Sequence, residues 1–122
     1  EYLFPDDVYT NPAKVRTLFE RIQHVCFIGH THMPGVFLDE PDFYLPDELG
    51  GVYPIIEDEK AIINIGSVGQ PRDKDNRASY VYVEDNKVHF VRLEYDYETT
   101  MKKILAIDRL DNFHAERLKD GR

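Results

Sequence analysis

Val25-Cys26-Phe27-Ile28 is a continuous apolar run closed by Gly29, and two histidines, His30 and His32, follow at once. A run that short, bounded by glycine, reads as a buried strand of an α/β sheet rather than as a helix. On extended backbone, residues two apart project to the same face, so His30 and His32 are expected to face one site while Thr31 points the other way. Ligands of open α/β sheets collect beyond the carboxyl ends of the strands. A strand that stops at a glycine and then presents two neutral imidazoles delivers two nitrogen donors to that place, half of a metal site. A histidine near a strand end is more often a hydrogen-bonded surface or core group, so the pair alone does not decide between the two roles.

The flanking sequence supports the strand. Asn11-Pro12 is a helix start, with Asn as cap and Pro at the first helical position, where its missing N–H costs nothing. Ala13, Val15, Leu18, Phe19 and Ile22 build one apolar stripe, so a helix over 12–23 is expected to pack on the sheet and lead into the Val25 strand. Residues 1–9 read as a loop. Beyond Met33-Pro34-Gly35, Val36-Phe37-Leu38 reads as a short strand, and 39–51, with Pro41, Pro46, Gly50 and Gly51, as an irregular loop. Val52 to Ile56 is expected at a sheet edge because Pro54 lacks a donor. Ala61 to Ile65 is apolar and β-branched, a second buried strand, and it ends at Gly66-Ser67. Residues 79–84 and 87–95 are expected to form a hairpin across Asp85-Asn86, two residue types that tolerate positive φ. Asp96 caps a closing helix containing Met101, Ile104 and Leu105, and residues 108–122 read as a second short helix.

Two motifs, Ile28-Gly29-His30-Thr31-His32 and Ile63-Asn64-Ile65-Gly66-Ser67-Val68-Gly69-Gln70-Pro71-Arg72, resemble in order and spacing the last part of a calcineurin-like metallophosphoesterase, most of all the small bacterial phosphodiesterase branch. The resemblance implies an α/β fold, the later half of an αββα sandwich, with a mixed sheet, an antiparallel hairpin and a closing helix. It implies hydrolysis of a phosphomonoester or phosphodiester by water activated between two divalent metals. His30 and His32 would each hold one of the two ions, which imidazole chemistry allows to be Mn, Fe, Zn or Ni. Arg72 is a candidate contact for a substrate phosphate through its planar fork; an ion pair with Asp73 or Asp75 is the competing use of the same group. The upstream metal ligands of such an enzyme, among them the bridging carboxylate, have no counterpart here. His24, His89 and His114 lack the context to replace them. The chain by itself is therefore expected to be inactive, to hold one metal ion or none, and to need a missing N-terminal half or a second copy of itself. A non-catalytic module for partner binding or self-association is the alternative that the missing ligands favour.

Length and charge bound the rest. At 122 residues, one domain over 1–122 is expected. With 15 basic against 23 acidic side chains the formal charge is −8, which works against stable contact with a nucleic-acid backbone. There is no apolar segment of membrane-spanning length and no signal-like sequence, and the one cysteine, Cys26, excludes an internal disulfide. Those features fit a reducing cytoplasm, although the chain does not begin with Met.

Overall fold

The computed structural model describes residues 2–122. Its elements run α1 (Asp7–Thr10), α2 (Pro12–Glu20), β1 (Val25–Ile28), β2 (Gly35–Leu38), β3 (Asp42–Tyr44), a 3₁₀ turn (Pro46–Leu49), β4 (Val52–Pro54), β5 (Ala61–Asn64), β6 (Ala78–Glu84), β7 (Lys87–Leu93), α3 (Tyr97–Leu105) and α4 (Phe113–Asp120). Helix α2 starts as its sequence dictates: the Asn11 side chain accepts from the Lys14 N–H, and Pro12 occupies the first turn.

The strands form two sheets. One has the order β1-β5-β2-β3, with β1 and β5 parallel and the remaining pairs antiparallel; the other is antiparallel with the order β4-β7-β6. Alternation sorts β5 between two cores. Ile62 packs with Val15 and Phe19 of α2, Phe37 of β2, and Leu3 and Val8. Ala61 and Ile63 face the opposite way, meeting Val36, Tyr53 and Val88 to bind the two sheets together. Helix, mixed sheet and antiparallel sheet are thus stacked in layers, the mixed α/β architecture expected from the sequence. Each fully buried large apolar side chain in these cores contributes about 1.5–3 kcal/mol. The hairpin also forms as read: Asp85 and Asn86 take φ of 50° and 56°, the doubly left-handed turn that matches strand twist.

Four readings are corrected. The Val25–Ile28 strand is not enclosed; it is the outer strand of its sheet, and Phe27 is 45% exposed. Part of the segment read as an N-terminal loop coils into α1, held by the Asp7 carboxylate, which accepts from the Phe4 N–H and pairs with Lys14 at 2.8 Å. Residues 39–51 contain β3 and the 3₁₀ turn, because Phe43 pairs with Phe37 on β2 and Glu48 caps the Leu45 N–H. Finally, α3 buries no residue; it packs on α4, whose Ala115 and Leu118 are the buried members of this pair. No helix among the described residues is long and apolar enough to cross a membrane.

Candidate functional site

The parallel pairing of β1 and β5, with Ile28 opposite Asn64, brings both quoted motifs to the same sheet end. The chain leaves β1 into Gly29–His32 and leaves β5 into 65–72. One residue joins the two exits: Asn64, with no solvent exposure, donates its Nδ2 to Thr31 Oγ1 at 2.7 Å and to the Gly29 carbonyl at 3.4 Å, and its Oδ1 accepts from the Gly66 N–H at 3.0 Å. A buried amide with its donor and acceptor both engaged fixes relative position as well as contributing stability. The Ile65 N–H completes the junction by donating to the Ile28 carbonyl at 2.9 Å.

The histidines are presented by left-handed backbone. φ is 76° at His30 and 60° at His32, so the extended-strand geometry expected for His-x-His does not apply. Strand β1 has already ended, and Thr31 between them turns inward, 3% exposed, as the partner of Asn64. Non-glycine residues in this region cost of order 1–3 kcal/mol and persist where the surroundings over-determine them. Here Asn64 supplies that constraint through Thr31.

His32 is held further. Its Nδ1 lies 2.8 Å from the Gln70 carbonyl, and because a carbonyl only accepts, Nδ1 carries the proton. The neutral ring then has its lone pair on Nε2, the state in which a histidine ligates a metal, with a backbone carbonyl orienting it from behind. The Arg72 N–H donates to the His32 carbonyl at 3.2 Å, tying the loop to the turn in the other direction. His30 is exposed, and its ring leans on Tyr2, centroids 4.2 Å apart at 37°.

Arg72 is brought to the same place but is not used as an ion pair with its neighbours. Its Nη2 donates to Gln70 Oε1 at 2.9 Å, Asp73 is taken by Arg92, and Asp75 by Arg77 at 2.6 Å. The Arg77 hydrogen bond is the main reason the Asp75 carboxyl sits below the usual aspartate range, outweighing the opposing effect of burial. The other histidines are engaged elsewhere: His24 Nε2 bonds the Ile56 carbonyl at 2.7 Å, His89 stacks on Tyr82 at 4.5 Å, and His114 lies beside Phe113.

The loop after β5 is shaped by small residues. The Ser67 hydroxyl accepts from the Gln70 N–H at 3.0 Å, and Gly66, at φ 76°, passes so close to Ser79 that a Cβ there would lie 2.5 Å from its hydroxyl oxygen. Asn64 and Gln70 both lie in the second motif, and neither carries a role in the sequence-based expectations. The signal for Asn64 was present, a lone amide closing an apolar strand; Gln70 acts through its carbonyl, for which side-chain type carries no signal.

No protein-family model matches the chain. An uncharacterized protein of Methanocaldococcus jannaschii is 40% identical over 127 aligned residues, which take in all of this chain and 46% of the relative. A crystal structure of a metallophosphoesterase from Sphaerobacter thermophilus superposes with a TM-score of 0.83 at 30% identity, again over the whole of this chain and 51% of that one. The chain carries part of a metallophosphoesterase fold. It spans about half the length of the relatives it matches. In a metallophosphoesterase setting the donor chemistry at the sheet end suits a divalent transition metal: two imidazoles, one of them with its tautomer fixed by the Gln70 carbonyl. No group of three or more His, Cys, Asp or Glu side chains suited to holding a metal exists among the described residues, so this donor set is a partial one.

Proposed function

We propose that this chain is the later portion of a metal-dependent phosphoesterase, in which His30 and His32 each give one imidazole to a pair of divalent cations. The observation that carries the reading is His32: its Nδ1–H is committed to the Gln70 carbonyl at 2.8 Å, and its backbone is held at a φ of 60°. Bound divalent ions, Mn, Fe, Zn or Ni, would supply water made acidic enough to attack at neutral pH and would offset charge on the phosphoryl group. The residues of this chain do the rest of what falls to it. Asn64 and Thr31 hold the turn, Gln70 sets the ring and tautomer of His32, and Arg72 offers its fork to a substrate phosphate oxygen. Under this reading the remaining ligands come from the other half of the protein, the substrate is a phosphate ester, and the setting is cytoplasmic.

The sheet edges support an assembly of that kind. Strand β1 has no neighbour on its outer side among the described residues, nor has β6 in the second sheet, and the two border one cleft of about 580 Å³ lined by the apolar Val25, Phe27, Ile55 and Val83 and by the polar His24, Glu57 and Asn86. Beneath β1 on the helix side lies an apolar cavity of about 400 Å³ between Leu18, Ile22, Cys26 and Ile28. Open edges with an apolar cavity on the helix side call for cover, either the missing half or a second copy of the chain, and the second of these is the association module.

Activity of the natural full-length open reading frame tests the proposal. With Mn²⁺ it is expected to hydrolyse a nitrophenyl phosphate mono- or diester, and His32→Ala is expected to lower kcat/KM at least about 100-fold. An H32A enzyme within about threefold of wild type, or a wild type inert with every one of these metals, would favour the association module.

A further inference from the structure

The two histidine rings beyond β1 are met by different kinds of group. A backbone carbonyl takes the Nδ1–H of His32. What meets the His30 imidazole is an aromatic ring, that of Tyr2, with centroids 4.2 Å apart and planes tilted by 37°. Other aromatic rings of this molecule also lie against histidines, but local structure accounts for those contacts. Tyr82 and His89 are facing residues of the paired strands β6 and β7, and Phe113 and His114 are neighbours in sequence. Neither strand pairing nor adjacency joins Tyr2 to His30. Their contact ties the segment before α1 to the turn after β1, and both residues line the same cavity of about 400 Å³.

Tyr2 is itself anchored. Leu3, only 4% exposed, is inserted in the core with Val15, Phe19 and Ile62. On either side of it Tyr2 and Phe4 stay outside, and their rings stack with centroids 6.0 Å apart and planes 6° from parallel. The Phe4 N–H is fastened to the Asp7 carboxylate, and Asp7 to Lys14 of α2. A line of contacts therefore runs from α2 to the face of the His30 ring.

Contact through the face suits a ligand. The lone pair of an imidazole lies in the ring plane, so a partner against the face restrains rotation and leaves both nitrogens open. Histidine χ2 is otherwise broad and roughly two-fold. An exposed imidazole at a left-handed position gives up that freedom when it ligates, unless a neighbour has ordered it beforehand. Any apolar side chain could cover the cavity, but a flat ring also sets the plane of the ring it touches.

We propose that Tyr2 is the positioning residue of His30, its ring fixing the imidazole plane for metal ligation as the Gln70 carbonyl does for His32. The role rests on the phosphoesterase reading, in which His30 is a ligand. The test uses the natural full-length protein, stripped of metal and isotope-labelled at histidine, as wild type, Tyr2→Phe, Tyr2→Leu and, as a control at another stacked histidine, Tyr82→Leu. Histidine ring signals are followed by NMR, first without metal and then with Zn²⁺ buffered by a chelator, because this diamagnetic ion moves the signal of the nitrogen it binds. Without metal, Y2L is expected to shift the His30 ring protons out of the shielding of the phenol ring and to leave His32 in place, while Y82L shifts His89 alone. With Zn²⁺, His30 in Y2L is expected to need about tenfold more free metal for half-saturation, with His32 within about threefold of wild type and the melting temperature unchanged. Y2F, which keeps the ring, is expected to match wild type at both histidines. His30 taking up Zn²⁺ equally in Y2L and wild type, Y2F as impaired as Y2L, or equal losses at His30 and His32 would each overturn the role of Tyr2. Zn²⁺ that reaches neither ring in wild type would instead overturn the phosphoesterase reading, and the positioning role with it.

Discussion

His30 carries the sharpest conflict between stability and use. An exposed side chain at φ 76° is strained, and its ring leans on that of Tyr2. If the fold needed only a chain reversal there, glycine would serve better. His30→Gly is therefore expected to hold or raise the melting temperature, by up to about 1 kcal/mol of stability, while removing the metal donor proposed there. A thermal melt checks the first half; a fall of more than about 1 kcal/mol would mean that His30 is held for packing. His32 differs, because its ring is tied to Gln70 and its carbonyl to the Arg72 N–H, so the same change there removes structure as well as the proposed donor.

At the level of elements, the carboxyl ends of β1 and β5 were legible from short apolar runs that stop at Gly29 and, one residue beyond Ile65, at Gly66. The hairpin was legible from Asp85-Asn86, whose φ values of 50° and 56° suit a two-residue turn. The His-x-His geometry was not, since period-two alternation presumes a strand that had already ended at Ile28. Nor was the edge position of β1 visible: an apolar run looks the same whether its neighbours lie in this chain or outside it. The α4 latch was illegible for another reason, as it depends on backbone groups of 74–76 meeting the far end of the chain. It gives a direct expectation. Gly121 has φ 63° and lies against the Asp75 backbone, so Gly121→Ala is expected to cost about 1–3 kcal/mol and to expose the Lys74 amide to hydrogen exchange. Unchanged Lys74 protection would mean the latch does not hold the loop.

For the whole molecule, the outer edges of β1 and β6 have no strand neighbour among the described residues, and under the proposed reading these are where the rest of the protein or a second copy would pair. Acid should loosen the molecule partly through the joint of α1 and α2. Burial alone would raise the Asp7 carboxyl, but Lys14 and the Phe4 N–H outweigh it and hold Asp7 below the usual range. A depressed folded-state value means that this contribution is complete above the ordinary aspartate range and is lost as pH falls through the lower folded value. Between about pH 5 and about pH 3, wild type is thus expected to lose more stability than Asp7→Asn in urea melts, and equal losses would remove Asp7 from the acid response. The histidine pair is tested most directly by adding Mn²⁺ to the chain and following the ring protons of its five histidines by NMR. Selective broadening of His30 and His32 at low metal, with His24, His89 and His114 left sharp, is the expected result. Uniform broadening of all five, or broadening of His24, His89 or His114 ahead of His30 and His32, would contradict a cation site at the end of β1.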